Sequence, residues 1–253
     1  MAGKLNNLEV IISRQSNLAA DLIAKIHEHG GKGISFPLFD IESLLNTEKL
    51  LQINKHLQQN YLTICISRNA ADLVLSHVDI PQDSMWATIG PATALYLQQH
   101  NINNVIYPYK PPFDSKALII ALQLKRINLA NLCIMILTGE LGDRWLLDML
   151  TQHGAIVEIM HIYRRIMPRF SAIQLKDICS AHGRRIILIT CVTSLVNLQT
   201  MARQAGVDVY NIALLVVSDR IYAYAVAQGF ANVYVAKSML DADILSALFE
   251  YEG

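Results

Sequence analysis

The stretch LCIMILTGELGDRWLLDML, residues 132–150, carries the pattern that decides the fold. Its first six residues are apolar, with no polar alternate face, which is typical of a strand buried on both sides. A short polar turn follows, and then apolar residues recur at helical spacing in RWLLDML. A strand covered on both faces belongs to a parallel sheet flanked by helices, so the stretch predicts one strand-helix unit of an α/β protein.

The same alternation of short apolar runs with helical stretches extends along the whole chain. RIILIT, residues 185–190, is a second run without a polar face. We therefore predict an α/β fold with mainly parallel sheets, built from ten strands and ten helices. The predicted strands are Leu8–Ser13, Gly33–Phe39, Leu62–Ser67, Met85–Ile89, Asn103–Tyr107, Leu132–Thr138, Ile156–Tyr163, Arg185–Thr190, Ile212–Val217 and Asn232–Ala236.

The composition excludes several classes of protein. Apolar residues make up 53% of the 253 residues and charged residues only 17%, so the chain is not predominantly disordered. The 21 basic residues balance the 21 acidic ones, which gives no reason to expect nucleic acid or an anionic membrane as a partner. No apolar run approaches the roughly 18 residues of a membrane-spanning helix, and no signal peptide is recognised. We expect a cytoplasmic protein.

The motifs of several enzyme classes are missing from the sequence. There is no GxGxxG after the first strand, no GxxxxGK[ST] and no GxSxG, which argues against dinucleotide-binding, P-loop and serine-hydrolase proteins. The four cysteines are scattered without a CxxC pair, so neither a disulfide framework nor a zinc site is expected. His27 and His29 at a helix end are typical of a solvated pair rather than of a metal site.

The order of elements repeats along the chain. Four pairs of segments lie about 125 residues apart: His29-Gly30 and His153-Gly154, LTICIS and RIILIT, YLQQHNINNVIY and YAVAQGFANVYV, and DSKALIIAL and DADILSAL. Matches in the same order at nearly constant distance predict two similar βα halves of about 125 residues.

The carboxyl ends of the predicted strands are the expected ligand site, because parallel α/β sheets bind ligands there and helix N-termini present free N–H groups. Small and hydroxyl-bearing residues recur at these ends in both halves. Serine and threonine are also good N-caps, which alone explains about half of them. The candidate binding residues are Ser13, Arg14, Ser67, Arg68, Asn69, Gly90, Thr93, Gly139, Thr190 and Ser218.

One further cluster stands out, MHIYRRIMPRF, residues 160–170. Tyr163 lies between apolar residues there, and Arg164, Arg165 and Arg169 follow closely. The residues alone favour an ordinary strand with a solvated rim of arginines. The alternative is a phenol flanked by guanidinium groups, which can donate a proton beside an anionic ligand.

Taken in order, the motifs resemble the uroporphyrinogen-III synthase family from end to end. IISRQSNLAADLIAKIHEHGG is similar to the family's opening strand, turn and helix, SFPLFDI to its proline-bearing linker strand, and CISRNAADL to its serine strand end. ATIGPATALYL, LTGELGDRWLLDML and HIYRR resemble the family's Val-Gly-x-x-Thr, Thr-Gly and tyrosine segments. The C-terminal half departs from this pattern, because Cys191 and Ile221 stand where many members have serine and threonine.

The resemblance implies two similar α/β domains, each a mainly parallel sheet of about five strands flanked by helices, joined by a two-stranded linker. Residues 1–37 and 164–253 would form one discontinuous domain, and residues 38–163 the other. The resemblance also implies a monomer, in transient contact with the enzyme that precedes it in the pathway.

The resemblance further implies a lyase of haem biosynthesis that needs no cofactor and no metal. Its small-molecule substrate, hydroxymethylbilane, loses its hydroxyl as water. Ring D is then attacked at its substituted α-carbon to give a spiro intermediate, and closure yields uroporphyrinogen III with ring D inverted. This chemistry needs a proton donor and groups that position eight carboxylates. By this resemblance Tyr163 is the expected catalytic donor, and the strand-end residues are the expected binding groups.

Two other functions remain open from the sequence. The same turns could bind an anion in a non-catalytic two-domain α/β protein, or serve a glycosyl- or phosphoribosyl-transferase. A transferase usually needs acidic metal ligands, which the sequence does not identify. Turnover of hydroxymethylbilane distinguishes the synthase from both.

Overall fold

The structure is a computed structural model that describes residues 4–59, 61–140, 142, 144–180 and 183–251. The chain divides into two compact units. Unit 1 comprises Met1–Asp40 and Ile166–Gly253, and unit 2 comprises Ile41–Arg165. Each unit is built around its own sheet and its own hydrophobic core.

The described residues form eleven strands and ten helices. The strands are β1 Leu8–Ile12, β2 Lys32–Ser35, β3 Asp40–Ser43, β4 Leu62–Cys65, β5 Met85–Ala87, β6 Val105–Ile106, β7 Cys133–Gly139, β8 Ile156–Ile166, β9 Arg184–Ile189, β10 Ala213–Val216 and β11 Val233–Val235. The helices are α1 Ser16–Glu28, α2 Thr47–Gln58, α3 Arg68–Leu75, α4 Pro91–Gln99, α5 Ser115–Leu124, α6 Arg144–Gln152, α7 Ala172–Ser180, α8 Val192–Ala205, α9 Asp219–Ala227 and α10 Asp241–Glu250.

Unit 1 contains a five-stranded sheet in the order β11-β10-β9-β1-β2, in which every neighbouring pair is parallel. The register places Val10 of β1 opposite Gly33 of β2 and Ile186 of β9. Val10, Ile11 and Ile12 are all fully buried. Because successive residues of a strand point to opposite faces, both faces of this sheet are covered.

Unit 2 contains a six-stranded sheet in the order β3-β8-β7-β4-β5-β6, in which β4 to β8 are parallel to one another. Strand β7 contributes Ile134 and Ile136 to one hydrophobic cluster and Met135 and Leu137 to another. The two clusters therefore lie on opposite faces of the sheet. This arrangement confirms the α/β fold with mainly parallel, helix-flanked sheets that the apolar runs predict.

The ten predicted strands all correspond to observed strands, with end points that differ by a few residues. Strand β3 is the one that the sequence pattern did not predict, because its four residues DIES include polar residues at both ends. The predicted strand Gly33–Phe39 ends earlier, at Ser35, and continues as an extended link. Pro37 lies in this link and has no N–H to donate, so a regular ladder cannot continue through it.

Polar side chains cap the N-termini of several helices. Asn46, Ser67, Asp114 and Ser218 each accept a hydrogen bond from the backbone N–H three residues further on. Ser67 and Ser218 thus have the capping role that N-cap preferences predict. A serine hydroxyl that accepts one such bond keeps its own proton and a second lone pair for other partners.

His56 makes the stability of unit 2 depend on pH. Its side chain lies near the end of α2, 9% exposed, and donates from Nε2 to the carbonyl oxygen of Leu62 at 3.1 Å. Burial lowers the pKa of His56 below its ordinary value of 6.5, against the opposing effect of the Leu62 carbonyl. The folded state therefore keeps the ring neutral at pH values where the unfolded chain already binds a proton.

We expect the free energy of unfolding of unit 2 to fall as the pH drops below about 6.5, by at most about 1.4 kcal/mol per pH unit from this group. Trp86 and Trp145, the two tryptophans of the chain, both lie in unit 2, so their fluorescence during urea unfolding reports this unit. His56→Gln should flatten the slope, and the same change at the exposed His77 should leave it as in the wild type. A wild-type slope in His56→Gln would refute this assignment.

Candidate functional site

The carboxyl ends of the parallel strands bring four predicted residues to one edge of the unit 2 sheet. Ser67 follows β4, Gly90 follows β5, Gly139 ends β7, and Tyr163 lies in β8. These strands are parallel neighbours, so their carboxyl ends point the same way. Tyr163 is in direct contact with Ser67 and packs against Gly139.

The hydroxyl of Tyr163 lies 3.0 Å from Oγ of Ser67. Nη2 of Arg165 donates to the same phenolic oxygen at 3.3 Å, and its guanidinium carbon lies 5.5 Å from the ring centroid. Tyr163 is only 2% exposed. A phenol in this position can give up its proton, because the adjacent guanidinium charge stabilises the phenolate that remains.

The arginines beside Tyr163 have different environments. Arg164 is exposed and forms a bidentate ion pair with Glu42, at 2.6 and 2.8 Å, and Arg169 is also exposed. Arg165 is half-buried and contacts the phenol. The interpretation of a solvated rim therefore applies to Arg164 and Arg169, whereas Arg165 belongs to the site.

The phenol ring of Tyr163 packs directly against Gly139. The two residues are partners in the β7–β8 register, where an irregularity interrupts the ladder between Thr138 and Gly139. A Cβ atom on Gly139 would lie 2.8 Å from Cε2 and Cζ of Tyr163 and 3.2 Å from its hydroxyl oxygen. Only a glycine leaves room for the ring in this position.

One further side chain at this site, His161, was missed by the sequence prediction. Nδ1 of His161 donates to the carbonyl oxygen of Gly139 at 2.9 Å, since a carbonyl can only accept. His161 precedes Tyr163 by two positions in β8, but the irregularity between Thr138 and Gly139 breaks the period of two there, so no local pattern could have linked the two side chains. Cys65 donates to the carbonyl oxygen of Ser67 at 3.4 Å, and burial raises the pKa of its thiol to about 12. Cys65 is therefore a neutral core thiol and not a nucleophile.

Arg68 and Asn69 open helix α3 directly after Ser67. The guanidinium carbon of Arg68 lies 4.5 Å from the ring centroid of Tyr96, whose hydroxyl donates to Asp72 at 2.6 Å. Burial, together with the Asp72 carboxylate, raises the pKa of Tyr96 to about 12, so this phenol stays neutral. Arg68 is thus held against an aromatic ring at the start of the helix.

Gly90 and Thr93 lie at the start of helix α4. Gly90 is the N-cap and Pro91 the first helical residue, where proline's missing N–H costs nothing. Among the described residues, no atom lies within 4 Å of the position that a Cβ on Gly90 would take. Thr93, two residues into the helix, is 7% exposed. The free N–H groups of this open turn are suited to an anion.

Unit 1 places Ser13 and Arg14 at the end of β1. Ser13 is fully buried, and its hydroxyl has no hydrogen-bond partner among the described residues. Arg14 donates to Asp241 at 2.9 Å and to the carbonyl oxygen of Met239 at 2.8 Å, and Lys25 also bonds Asp241 at 3.1 Å. Burial favours a raised pKa for Asp241, but the hydrogen bonds and charges of Arg14 and Lys25 outweigh it and hold the pKa below its usual value.

Thr190 and Ser218 follow strands β9 and β10 of unit 1. Between Thr190 and helix α8, Cys191 is the N-cap residue, and its Sγ lies 3.2 Å from Oγ of Ser194. Ser218 accepts from the backbone N–H of Ile221 at 3.4 Å. Ile221, which stands where many family members have threonine, is 3% exposed and packs in the core of unit 1.

The part of the chain that the structure describes contains no group of three or more His, Cys, Asp or Glu side chains arranged to hold a metal ion. In the same residues no helix is both long enough and apolar enough to cross a membrane.

These features define a class of α/β protein in which hydroxyl groups, glycines and a buried phenol collect at the carboxyl ends of parallel strands. Among solved structures, the chain resembles uroporphyrinogen-III synthetase from Helicobacter pylori 26695, with a TM-score of 0.59 and 15% identity over 96% of this chain and 99% of that one. It also resembles a mutant uroporphyrinogen III synthase from the extremely thermophilic bacterium Thermus thermophilus, with a TM-score of 0.54 and 14% identity over 94% and 96%. At these identities the likeness shows a shared fold.

The sequence comparisons identify the family. The model of the family described as Uroporphyrinogen-III synthase HemD matches residues 20–245. Uroporphyrinogen-III synthase from Escherichia coli strain K12 is 24% identical over 250 residues, which are 95% of this chain and 100% of that protein. The synthase from Salmonella typhimurium strain LT2 is 25% identical over 251 residues, with the same coverage. The chain belongs to the uroporphyrinogen-III synthase family, as the order of its motifs predicts.

Proposed function

We propose that the chain is a lyase that dehydrates and cyclises hydroxymethylbilane, with inversion of ring D, to uroporphyrinogen III in haem biosynthesis. The family match over residues 20–245 carries this proposal. The contact between Tyr163 and Ser67 supports it, because the reaction needs a proton donor at the strand ends where α/β sheets bind ligands.

Tyr163 is the proposed catalytic residue. Hydroxide is a poor leaving group, so the substrate hydroxyl departs as water only when it is protonated. The electron-rich pyrrole pushes it out and becomes an azafulvenium cation. A phenol is protonated at neutral pH and can supply this proton. The guanidinium of Arg165, which already donates to the phenolic oxygen, stabilises the phenolate that forms.

The substrate carboxylates are proposed to bind at the strand-end turns of each unit. The chain has a formal net charge of zero, so the affinity for a polyanion has to come from local groups. Helix N-termini offer such groups, because their free N–H donors and the helix dipole favour negative charge. The proposed binding residues are Ser13, Arg14, Ser67, Arg68, Asn69, Gly90, Thr93, Gly139, Thr190 and Ser218.

The existing contacts of Arg14 limit how it can bind a substrate carboxylate. Its guanidinium is already bound to Asp241 and to the carbonyl oxygen of Met239. Nε of Arg14 is buried and has no hydrogen-bond partner among the described residues. A substrate carboxylate therefore binds Arg14 either at this remaining donor or in exchange for Asp241.

Incubation with freshly generated hydroxymethylbilane, followed by separation of the type I and type III products, tests the proposed reaction. Unassisted closure gives the type I isomer, so the expected result is type III in clear excess over a control without protein. Binding of the bilane without turnover would instead identify a non-catalytic anion-binding protein. Absence of both would reject the proposed function.

Thr93→Val should reduce kcat/KM by about ten- to a hundredfold, because it removes one hydrogen bond of about 1 to 3 kcal/mol to an anionic substrate. The comparison variant is Thr151→Val, which makes the same change at an exposed position near the end of α6. Initial rates at several bilane concentrations measure the effect. Complete loss of activity in folded Thr93→Val would show that Thr93 takes part in the chemistry rather than in binding.

We also propose a cytoplasmic monomer that contacts the preceding pathway enzyme only transiently. Residues 1–37 with 164–253, and residues 38–163, are proposed to fold as its two domains. Light scattering tests the first statement, with 28.3 kDa as the mass of one chain. Limited proteolysis tests the second, with first cuts expected near the two proposed boundaries.

A further inference from the structure

Ser67 and Tyr163 differ in how far they are exposed. Tyr163 is 2% exposed and its ring is covered by Gly139, whereas Ser67 is half-buried at the end of β4. The two hydroxyl oxygens are 3.0 Å apart. Of this pair, Ser67 is the more exposed residue.

The hydroxyl of Tyr163 can accept from Arg165 and donate to Ser67 at the same time. A guanidinium group only donates, so the phenolic oxygen accepts from Arg165 at 3.3 Å. The phenolic proton is then free to point to Oγ of Ser67. This direction lets Tyr163 donate to Ser67 while Arg165 supports the negative charge that forms on the phenolic oxygen.

The hydroxyl of Ser67 accepts two hydrogen bonds and can pass its own proton to a third partner. Its Oγ accepts from the backbone N–H of Ala70 at 3.2 Å, as the N-cap of helix α3. A bond from Tyr163 occupies the second lone pair of the serine oxygen. The proton of Ser67 itself is then the one that remains for a third partner. The hydrogen bonds thus form a chain from Arg165 through Tyr163 to Ser67.

We infer that Ser67 is a catalytic residue that passes the proton of Tyr163 to the departing hydroxyl of the substrate. In this step the C–O bond of the hydroxymethyl group breaks, and its electron pair leaves with the oxygen. That oxygen takes the proton of Ser67 and departs as water, while Oγ of Ser67 takes the proton of Tyr163. The products are the azafulvenium cation, water and a phenolate beside Arg165. The proton that the tetrapyrrole loses on ring closure returns along the same path.

This inference rests on the proposed function, and variants of Ser67 test it. Ser67→Ala should lower turnover by about 10² to 10⁴, the range of general acid catalysis and the same factor as Tyr163→Phe. Ser67→Asn should lose as much, although asparagine is as good an N-cap as serine. Ser67→Thr, which retains a hydroxyl, should stay within about tenfold of the wild type.

The double variant Ser67→Ala/Tyr163→Phe separates a relay from two independent roles. In a relay, removing either residue already stops the proton transfer. The double variant should therefore be no slower than the slower single variant. Losses that multiply would overturn the relay. Asn46→Ala removes the N-cap of α2 and controls for a cap that is lost elsewhere in the same unit. It should cost stability but not turnover.

Rates in mixtures of H₂O and D₂O give a readout that a purely structural role of Ser67 would not change. Two protons in flight predict a curved dependence of turnover on the deuterium fraction in the wild type. A linear dependence, or full turnover in Ser67→Ala, would refute the relay while type III product from the wild type upholds the proposed function. Failure of the wild type to form type III product would refute both.

Discussion

Tyr163→Phe is expected to lower turnover of hydroxymethylbilane by about 10² to 10⁴, the range typical of a lost general acid. The substitution removes one oxygen and keeps the ring that packs on Gly139. The fold should therefore survive, at a cost of about 1 kcal/mol for the buried hydrogen bond. The loss should lie toward the lower end of the range, because the pyrrole itself helps to expel the hydroxyl.

The product of the slow variant is as informative as its rate. Proton donation starts the reaction, whereas the positions of the rings decide which way ring D closes. The residual product of Tyr163→Phe should therefore still be the type III isomer. Tyr251→Phe is the matched control. This phenol is also buried, but its hydroxyl donates to the carbonyl oxygen of Arg185 near the amino end of strand β9, in unit 1. Full turnover in Tyr163→Phe would transfer the donor role to a water or to a substrate carboxylic acid.

The sheet architecture was predictable from local sequence because a strand buried on both faces leaves a direct signal. In β7 every residue from Ile134 to Leu137 is apolar, and the structure distributes these residues over two core clusters. Strand β3 left no such signal. It is short and partly polar, and its place in the sheet comes from pairing with the distant strand β8.

The candidate site was predictable in its members but not in their contacts. Strand ends and hydroxyl residues can be read from the sequence, and these pointed to Ser67 and Gly139, whereas Tyr163 was expected in the site because of the family resemblance. The distance of 3.0 Å between Ser67 and Tyr163 depends on the register of β4, β7 and β8, including the irregularity at Gly139. No local pattern encodes that register.

Arg14 shows the same limit for electrostatics. Its sequence neighbours do not indicate a carboxylate partner, yet the structure pairs it with Asp241 at the start of α10. A residue predicted to be available for an anion is thus partly neutralised by a side chain from the other end of the chain. Such a pairing follows only from the way the chain after β1 meets the start of α10 within unit 1, which the local pattern around Arg14 does not specify.

Gly139→Ala is expected to reduce turnover by about a hundredfold, because the added methyl group displaces the ring of Tyr163. The added Cβ would lie 2.8 Å from two ring carbons, and real Cβ atoms are essentially never found that close to another heavy atom. The ring therefore has to move by about 1 Å, a displacement that can cost about 10² in rate. Overpacking of this kind should also lower the free energy of unfolding by about 1 to 3 kcal/mol.

Two comparisons show whether the ring causes both losses. Gly90→Ala adds the same methyl group where no described atom lies within 4 Å, so it causes no clash and should cost only the weaker N-cap that alanine makes, about 0.5 to 1 kcal/mol. In a Tyr163→Leu background the ring is gone, and the added methyl group of Gly139→Ala should then cost little stability. If Gly139→Ala kept wild-type turnover, or destabilised the Tyr163→Leu protein as much as the wild type, the contact with the ring would not be the cause. The expected results would show that Gly139 holds the phenol in the position where its hydroxyl contacts Ser67 and Arg165.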